Sequence, residues 1–292
     1  MKRTKLLHFF SGFLVLLFLL SCGEKSKMPL WEISKLNSPK SYLAGTINNI
    51  KSKGNEEVIN KVVQEKFDSA SAFITQIDII NSDFILSKNQ VEIGMNKTLK
   101  DILSEKDFST LSSLRDDWVQ TKKNQYEAPD SVKIKLLFYL QDALFQNDGK
   151  NLFFEQIWMQ QAMATKKEIL GFETYQKHYK DLAQITLPEQ IEFMNSIKNV
   201  EKFKTEFNDA VVDYYFSGEY EKIYTEHLNK FNYNKTNYGN LWVKKHRDWA
   251  TTIDPILDSQ SCFISLEVQH LFGKENFIDN LLSKGYKVKK IQ

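Results

Sequence analysis

The chain has few cysteines and histidines and no large excess of charge of either sign. Its 292 residues include two cysteines and five histidines, and 39 basic side chains nearly balance 37 acidic ones, for a net charge of +2. A protein this close to neutrality is a poor candidate for binding nucleic acid or anionic lipid by charge. We therefore expect no nucleic-acid partner.

The first 21 residues have the pattern of a secretion signal. Lys2, Arg3 and Lys5 precede an apolar run from Leu6 to Leu20, with no acidic residue between them. Such a run is short for a membrane-spanning helix and typical of a signal peptide. Removal of this leader takes away three basic residues and leaves a net charge of 2 − 3 = −1.

The end of this leader, Leu19-Leu20-Ser21-Cys22, resembles a bacterial lipobox. That resemblance implies a diacylated Cys22 at the mature N-terminus and a membrane partner reached through the acyl chains. The predicted organisation is a signal peptide over 1–21, a polar tether over 22–29 and one folded domain over 30–292. The predicted location is the bacterial cell envelope, with the domain outside the cytoplasm. The alternative is a plain signal peptide that happens to contain a cysteine.

The second cysteine, Cys262, begins an apolar segment of the chain. If Cys22 carries lipid, Cys262 has no partner for a disulfide. We expect it to be a small buried side chain and not a nucleophile.

Hydrophobic patterning predicts an α/β fold, with a small, partly parallel sheet, helices around it and a mainly helical insertion. Strand-like segments cluster near both ends of the domain and near residue 170, and amphipathic or apolar helical segments fill the remainder. The predicted strands cover 31–33, 41–44, 72–79, 166–172, the run from 262 and the end near 288. The main predicted helices cover 56–67, 132–145, 153–163, the region from 187 to about 257, and 276–283.

The segment Cys262–Val288 has the order strand, loop, short helix, strand, and Gly285 is expected to end the helix. His270 follows the first of these strands. Because ligands of open α/β sheets bind at the carboxyl ends of strands, His270 is a candidate site residue.

Several motifs in order resemble the TraB/GumN family, which includes the TIKI proteases. The motifs are Leu30-Trp31-Glu32-Ile33, Leu43-Ala44-Gly45-Thr46-Ile47-Asn48, Gly171-Phe172-Glu173-Thr174-Tyr175-Gln176, Tyr215-Phe216-Ser217-Gly218-Glu219, Arg247-Asp248-Trp249, His270-Leu271-Phe272-Gly273 and Gly285-Tyr286-Lys287-Val288. The resemblance extends from Leu30 to the C-terminus. It implies a fold related to the erythromycin esterase superfamily and, for TIKI-like members, metal-dependent peptide hydrolysis.

The resemblance also shows where this chain departs from the family pattern. Asn48 stands where the first motif has histidine, Gln76 where an acidic residue is expected, and Glu267 where the last motif has glycine. Asp248 replaces the asparagine of an Arg-Asn pair. Amides hydrogen-bond but do not ionise, so they are poor ligands for a transition metal.

The groups that remain define the candidate site. The resemblance implies Glu173, Arg247 and His270 as catalytic residues if the protein is active, and His270, Glu173 and Asp78 as metal ligands. The expected cofactor is none or a weakly bound divalent metal. Each residue also has a structural alternative: a hydrogen-bonded core histidine for His270, a capping carboxylate for Glu173 and a salt bridge for Arg247. His178, His227 and His246 lack ligand spacing, so we expect them to be structural or exposed.

Three functions remain open from the sequence. The first is a lipid-anchored protein whose metal site has degenerated, so that it binds a peptide or small polar ligand and does not cleave it. The second is a hydrolase with a remodelled site built from Glu173, Glu267, Asp78, Arg247 and His270. The third is an envelope scaffold without a small-molecule site.

Overall fold

A computed structural model describes residues 28–47, 59–82, 92–93, 97–122, 128–145, 154–231 and 237–291. Cys22 and Asn48, and with them the predicted signal peptide and most of the tether, lie outside these ranges. The described residues form one mixed sheet with helices on both faces, as the sequence predicted.

The sheet has six strands in the order β4-β3-β5-β2-β1-β6. Their bounds are β1 Leu30–Ser34, β2 Ser41–Thr46, β3 Ala72–Ile77, β4 Glu168–Glu173, β5 Cys262–Glu267 and β6 Lys287–Ile291. Strands β4, β3, β5 and β2 run parallel, whereas β1 is antiparallel to both β2 and β6. The carboxyl ends of four neighbouring strands therefore lie along one edge of the sheet.

Eleven α-helices are present among the described residues. They are α1 Lys61–Ser69, α2 Leu99–Ile102, α3 Glu105–Lys122, α4 Leu136–Phe145, α5 Phe154–Ala164, α6 Tyr175–Leu182, α7 Leu187–Ser196, α8 Val200–Ser217, α9 Tyr220–Phe231, α10 Asn237–Ser259 and α11 Phe277–Ser283. No helix in the described part of the chain combines the length and apolar character needed to cross a bilayer.

Alternation along the central strands divides the core between the two faces of the sheet. In β5, Phe263 packs on one face with Phe67 of α1 and Trp158 of α5. Its neighbour Ile264 packs on the other face with Trp249 of α10, and α11 joins the same layer. A separate apolar cluster joins α2, α3, α4, α7 and α8, and it forms the predicted helical insertion.

Local signals set several element ends as expected. Gly285 follows α11 with φ +86°, and the Tyr286 N–H donates to the Leu281 carbonyl, which closes the helix. Pro188 lies in the first turn of α7, which Thr186 and Glu189 cap reciprocally.

Other predicted bounds were wrong by a few residues. Strand β3 ends at Ile77 and not at 79, and β4 covers Glu168–Glu173 and not 166–172. Helix α4 begins at Leu136 and not at 132, because the preceding Val132 and Lys133 carbonyls accept hydrogen bonds from Leu99 and Ile93 instead.

Candidate functional site

Helix α10 crosses the carboxyl edge of the sheet and brings two polar residues to it. Trp242, Lys245, His246 and Trp249 have the spacing of one helix face. Lys245 contacts Glu173 at the end of β4, and His246 contacts His270 in the 3-10 turn that follows β5. The structure therefore brings the predicted residues Glu173 and His270 under the same helix.

Glu173 is fully buried and holds a dense charge network. The Lys245 ammonium donates to both of its carboxylate oxygens, each at 2.6 Å, and also lies 3.4 Å from Oδ2 of Asp181. His178 Nδ1 lies 2.8 Å from Oε1 of Glu173. Lys177 bridges Asp181 at 2.8 Å and Asp248 at 3.7 Å at the outer side. Lys244 also pairs with Asp248, at 2.6 Å. Three lysines, at positions 177, 244 and 245, therefore balance the carboxylates of Glu173, Asp181 and Asp248.

The charge network keeps Glu173 ionised. Burial acts to raise the pKa of Glu173, but the hydrogen bond from His178 and the positive charge of Lys245 lower it below its usual range. Burial lowers the pKa of Lys245, and the two nearby carboxylates, Glu173 and Asp181, oppose that effect. A charge that is buried without partners is very unfavourable, so each member of this pair depends on the other.

The second contact joins two buried imidazoles, those of His246 and His270. His246 Nε2 lies 3.1 Å from His270 Nδ1, and His246 Nδ1 lies 3.3 Å from the Glu275 carbonyl. Burial lowers the pKa of His246 to about 4, so the ring is neutral at pH 7. Since the carbonyl can only accept, His246 carries its proton on Nδ1 and accepts at Nε2 from His270. The rings of Trp242 and Trp249 pack against His270 with centroids at 4.6 and 5.2 Å.

Another carboxylate, that of Glu155, lies at the same edge on the other face of the sheet. Glu155, in the first turn of α5, accepts hydrogen bonds from Thr46 at 2.6 Å and Ser265 at 2.7 Å. Tyr215 donates to the Gly45 carbonyl at 2.8 Å, so α8 also fixes the end of β2. These contacts tie the Gly45-Thr46 segment to α5 and α8.

The remaining predicted residues lie outside the buried network. Arg247 is exposed and pairs with Glu275 at 3.3 Å. This contact is the salt bridge that was expected as the alternative to a catalytic role. Asp78 accepts hydrogen bonds from the backbone and side chain of Asn81. Glu267 accepts from Gln269 at 2.6 Å. Gln76 is half-buried near the end of β3.

The donors at this edge do not fit a divalent metal. Both oxygens of Glu173 accept from an ammonium, His270 Nδ1 is hydrogen-bonded to His246, and the Asp78 carboxylate caps a turn. In the described ranges, no three or more His, Cys, Asp or Glu side chains form a group that could hold a metal ion. A metal ligand set needs several such groups converging with free lone pairs.

Four residues of this edge were not predicted as site residues from the sequence: Glu155, His178, Lys245 and His246. The spacing of histidines along the chain cannot reveal these residues, because their partners are distant in sequence and meet only in the folded structure. One signal was present, because Lys245 and His246 share a helix face with two tryptophans, and polar groups on an apolar face require partners. Glu155 had no such signal, since an acidic residue in a first helical turn is common.

The prediction for Cys262 is consistent with the structure. The side chain is buried at the start of β5, and burial raises the pKa of its thiol to about 12. The thiolate needed for nucleophilic chemistry is therefore absent at neutral pH.

Comparison with known proteins supports the motif-based resemblance. The model of the TraB/PrgY/gumN family matches residues 29–290. No curated protein and no solved structure matches the chain. The family match covers nearly the whole domain, and it includes both Glu173 and His270. The chain belongs to the TraB/PrgY/gumN family.

Proposed function

We propose that this protein is a lipid-anchored envelope member of its family that binds a polar ligand without metal-dependent cleavage. The observation that carries the proposal is the Lys245 ammonium, which donates to both oxygens of Glu173 at 2.6 Å. An internal cation thus takes the place next to Glu173 that a divalent ion would need.

Electrostatics favours this arrangement over a metal. A second cation beside Glu173 would either displace Lys245 or lie close to its ammonium, and like charges repel strongly where solvent is excluded. Displacement would leave Lys245 buried without its main partner, at a cost of several kcal/mol. Asn48 and Gln76 supply no negative charge that would offset this cost.

Metal analysis of the purified mature protein tests whether the site holds a divalent ion. We expect far less than one Mn, Co or Zn per chain after equilibration with each ion. As a matched comparison, the variant Asn48→His, Gln76→Glu, Lys245→Met restores the ionisable groups and removes the internal cation, and it should retain more metal. Stoichiometric, tight metal in the unaltered protein would contradict the proposal and favour a remodelled metal-dependent hydrolase.

The lipid anchor is supported by the basic leader, the apolar run and Cys22. Acyl chains stabilise membrane attachment by about 0.8 kcal/mol per buried CH₂, so two chains hold a protein firmly. The test is the distribution of Cys22→Ala between membrane and soluble fractions, with Cys262→Ala as the matched cysteine control. We expect only Cys22→Ala to leave the membrane fraction. A Cys22→Ala protein that remains in the membrane fraction would contradict the anchor.

A further inference from the structure

Strand β6 forms one outer edge of the sheet and is rich in lysine. It contains Lys287, Lys289 and Lys290, and all three side chains are exposed. Among the residues that the structure describes, no acidic side chain forms an ion pair with any of these three. The Lys290 ammonium lies over the ring of Tyr220, 5.0 Å from its centroid. This edge therefore carries three positive charges that the described part of the fold does not neutralise.

Two acidic side chains near this edge already have basic partners. Asp254 of α10 pairs with Lys284 at 3.3 Å. Glu32 of β1 lies opposite Lys289 in the sheet, but its carboxylate pairs with Lys40 at 2.9 Å. These pairs leave the lysines of β6 available to an anionic group outside the protein.

The N-terminal tether enters the domain beside the same strand. In the antiparallel pair β1-β6, Trp31 is opposite Lys290, and paired strands lie about 4.8 Å apart. Met28, where the described chain begins, is six residues after Cys22. Because an extended chain spans at most about 3.6 Å per residue, an anchored Cys22 holds this corner of the domain within roughly 20 Å of the bilayer surface.

Lysines held this close to an anionic bilayer are attracted to it. The attraction acts within a Debye length of about 10 Å at 0.1 M salt, and each lysine in that range strengthens binding about fivefold. The tether length is an upper limit, so the edge can approach within this range. The tether itself adds Lys25 and Lys27 against a single acidic residue, Glu24. Since the whole chain is nearly neutral, the attraction is a property of this corner and depends on the anchor.

We propose that β6 docks on the headgroups of anionic phospholipids and so sets the orientation of the anchored domain. The acyl chains on Cys22 provide the attachment, and the ammonium groups of β6 contact lipid phosphates. Because β1 is antiparallel to both β2 and β6, the C-terminal end of β6 lies at the carboxyl edge of the parallel strands. That edge carries Glu173 and His270, so the candidate site lies on the membrane-facing side of the domain. This inference rests on the proposed lipid anchor.

Lysine acetylation on vesicles, mapped by mass spectrometry, tests this orientation. The mature chain is coupled through Cys22 to a maleimide phospholipid, a reaction that spares the buried Cys262. The vesicles contain phosphatidylcholine alone or an equimolar mixture with phosphatidylglycerol. At low salt, we expect the three lysines of β6 to react at least about threefold more slowly on the anionic vesicles, and this difference should disappear at about 1 M salt.

Lys166, an exposed residue just before the opposite edge strand β4, is the internal control and should react equally on both vesicle types. Equal rates on both vesicle types for the β6 lysines would overturn the proposal. That is also the result expected if these lysines serve only to prevent pairing of the sheet edge with another strand. Because the coupling at Cys22 is chemical, the readout depends neither on acylation in the cell nor on metal content. This inference and the proposed function can therefore fail separately.

A double variant shows whether the lysines themselves cause the orientation. In Lys289→Gln with Lys290→Gln, Lys287 remains as a reporter, and its slower reaction on anionic vesicles should shrink to less than about 1.5-fold. The matched control, Lys166→Gln with Lys202→Gln, removes two exposed lysines elsewhere and should leave the protection of Lys287 unchanged. Full protection of Lys287 in the first variant would contradict the proposal.

Discussion

Two adjacent residues of α10, Lys245 and His246, make the two contacts of the candidate site, one through an ion pair and the other through a hydrogen bond between imidazoles. Lys245 joins a fully charged network with Glu173 and Asp181. His246 is neutral at pH 7 and contacts His270, whose ring packs against Trp242 and Trp249. Both residues are almost completely buried. The two residues differ in their partners, which are carboxylates for Lys245 and an imidazole and a carbonyl for His246.

The comparison shows how burial selects a charge state. A buried lysine remains charged where two carboxylates face it, and a buried histidine becomes neutral where it faces a carbonyl and a second imidazole. One helix face thus carries two electrostatic environments at consecutive positions. We expect the two to differ in their response to mutation and to acid.

The largest effect should come from removal of the buried cation. Lys245→Met leaves Glu173 buried without its main partner, so we expect a loss of about 3–5 kcal/mol in the free energy of unfolding. Urea denaturation measures this loss. The matched control is Lys244→Met, which removes an exposed lysine that pairs with Asp248 at 2.6 Å and should cost less than about 1 kcal/mol. Equal losses in both variants would show that the buried ion pair contributes no more to stability than the surface pair.

The second largest effect should be a loss of stability in acid, and the contacts of His246 and Lys245 should be lost in different pH ranges. The folded pKa of His246 is about 4 against an ordinary value of 6.5, so its contribution to stability is complete above pH 6.5. That contribution, about 3 kcal/mol, is lost as pH falls from 6.5 towards 4, because the unfolded state then binds a proton that the folded state excludes.

The carboxylates Glu173 and Asp181 have pKa values below their usual range, so their contribution is lost only at lower pH, below about 4. Unfolding free energies measured between pH 7 and pH 4 test the assignment to His246. His246→Gln, which cannot titrate, should flatten the curve in this window. An unchanged pH dependence in this variant would assign the effect to another group.

The smallest effect should come from Arg247, the next residue of the same helix. Its side chain is 63% exposed and pairs only with Glu275 among the described ionic contacts. Arg247→Ala should therefore change the free energy of unfolding by less than about 0.5 kcal/mol in urea denaturation. A loss comparable to that of Lys245→Met would show that Arg247 belongs to the buried network.

Much of the fold could be predicted from the sequence, because its signals are local. Apolar runs and helix caps located the strands and most helices, and Gly285 and Pro188 marked helix ends as expected. Motif resemblance found Glu173 and His270. Their partners could not be found in this way, since Lys245 lies 72 residues from Glu173 and His246 lies 24 residues from His270. Only the packing of α10 brings them together.

The order of the strands has a consequence for how the chain assembles. Strand β5 separates β2 from β3, and the Ser41 contact to Cys262 spans 221 residues. Until β5 is synthesised, the hairpin β1-β2 and the pair β3-β4 cannot join, and each exposes unpaired strand edges. Such distant pairing makes folding slow, so the nascent chain exposes these edges until about its last tenth emerges.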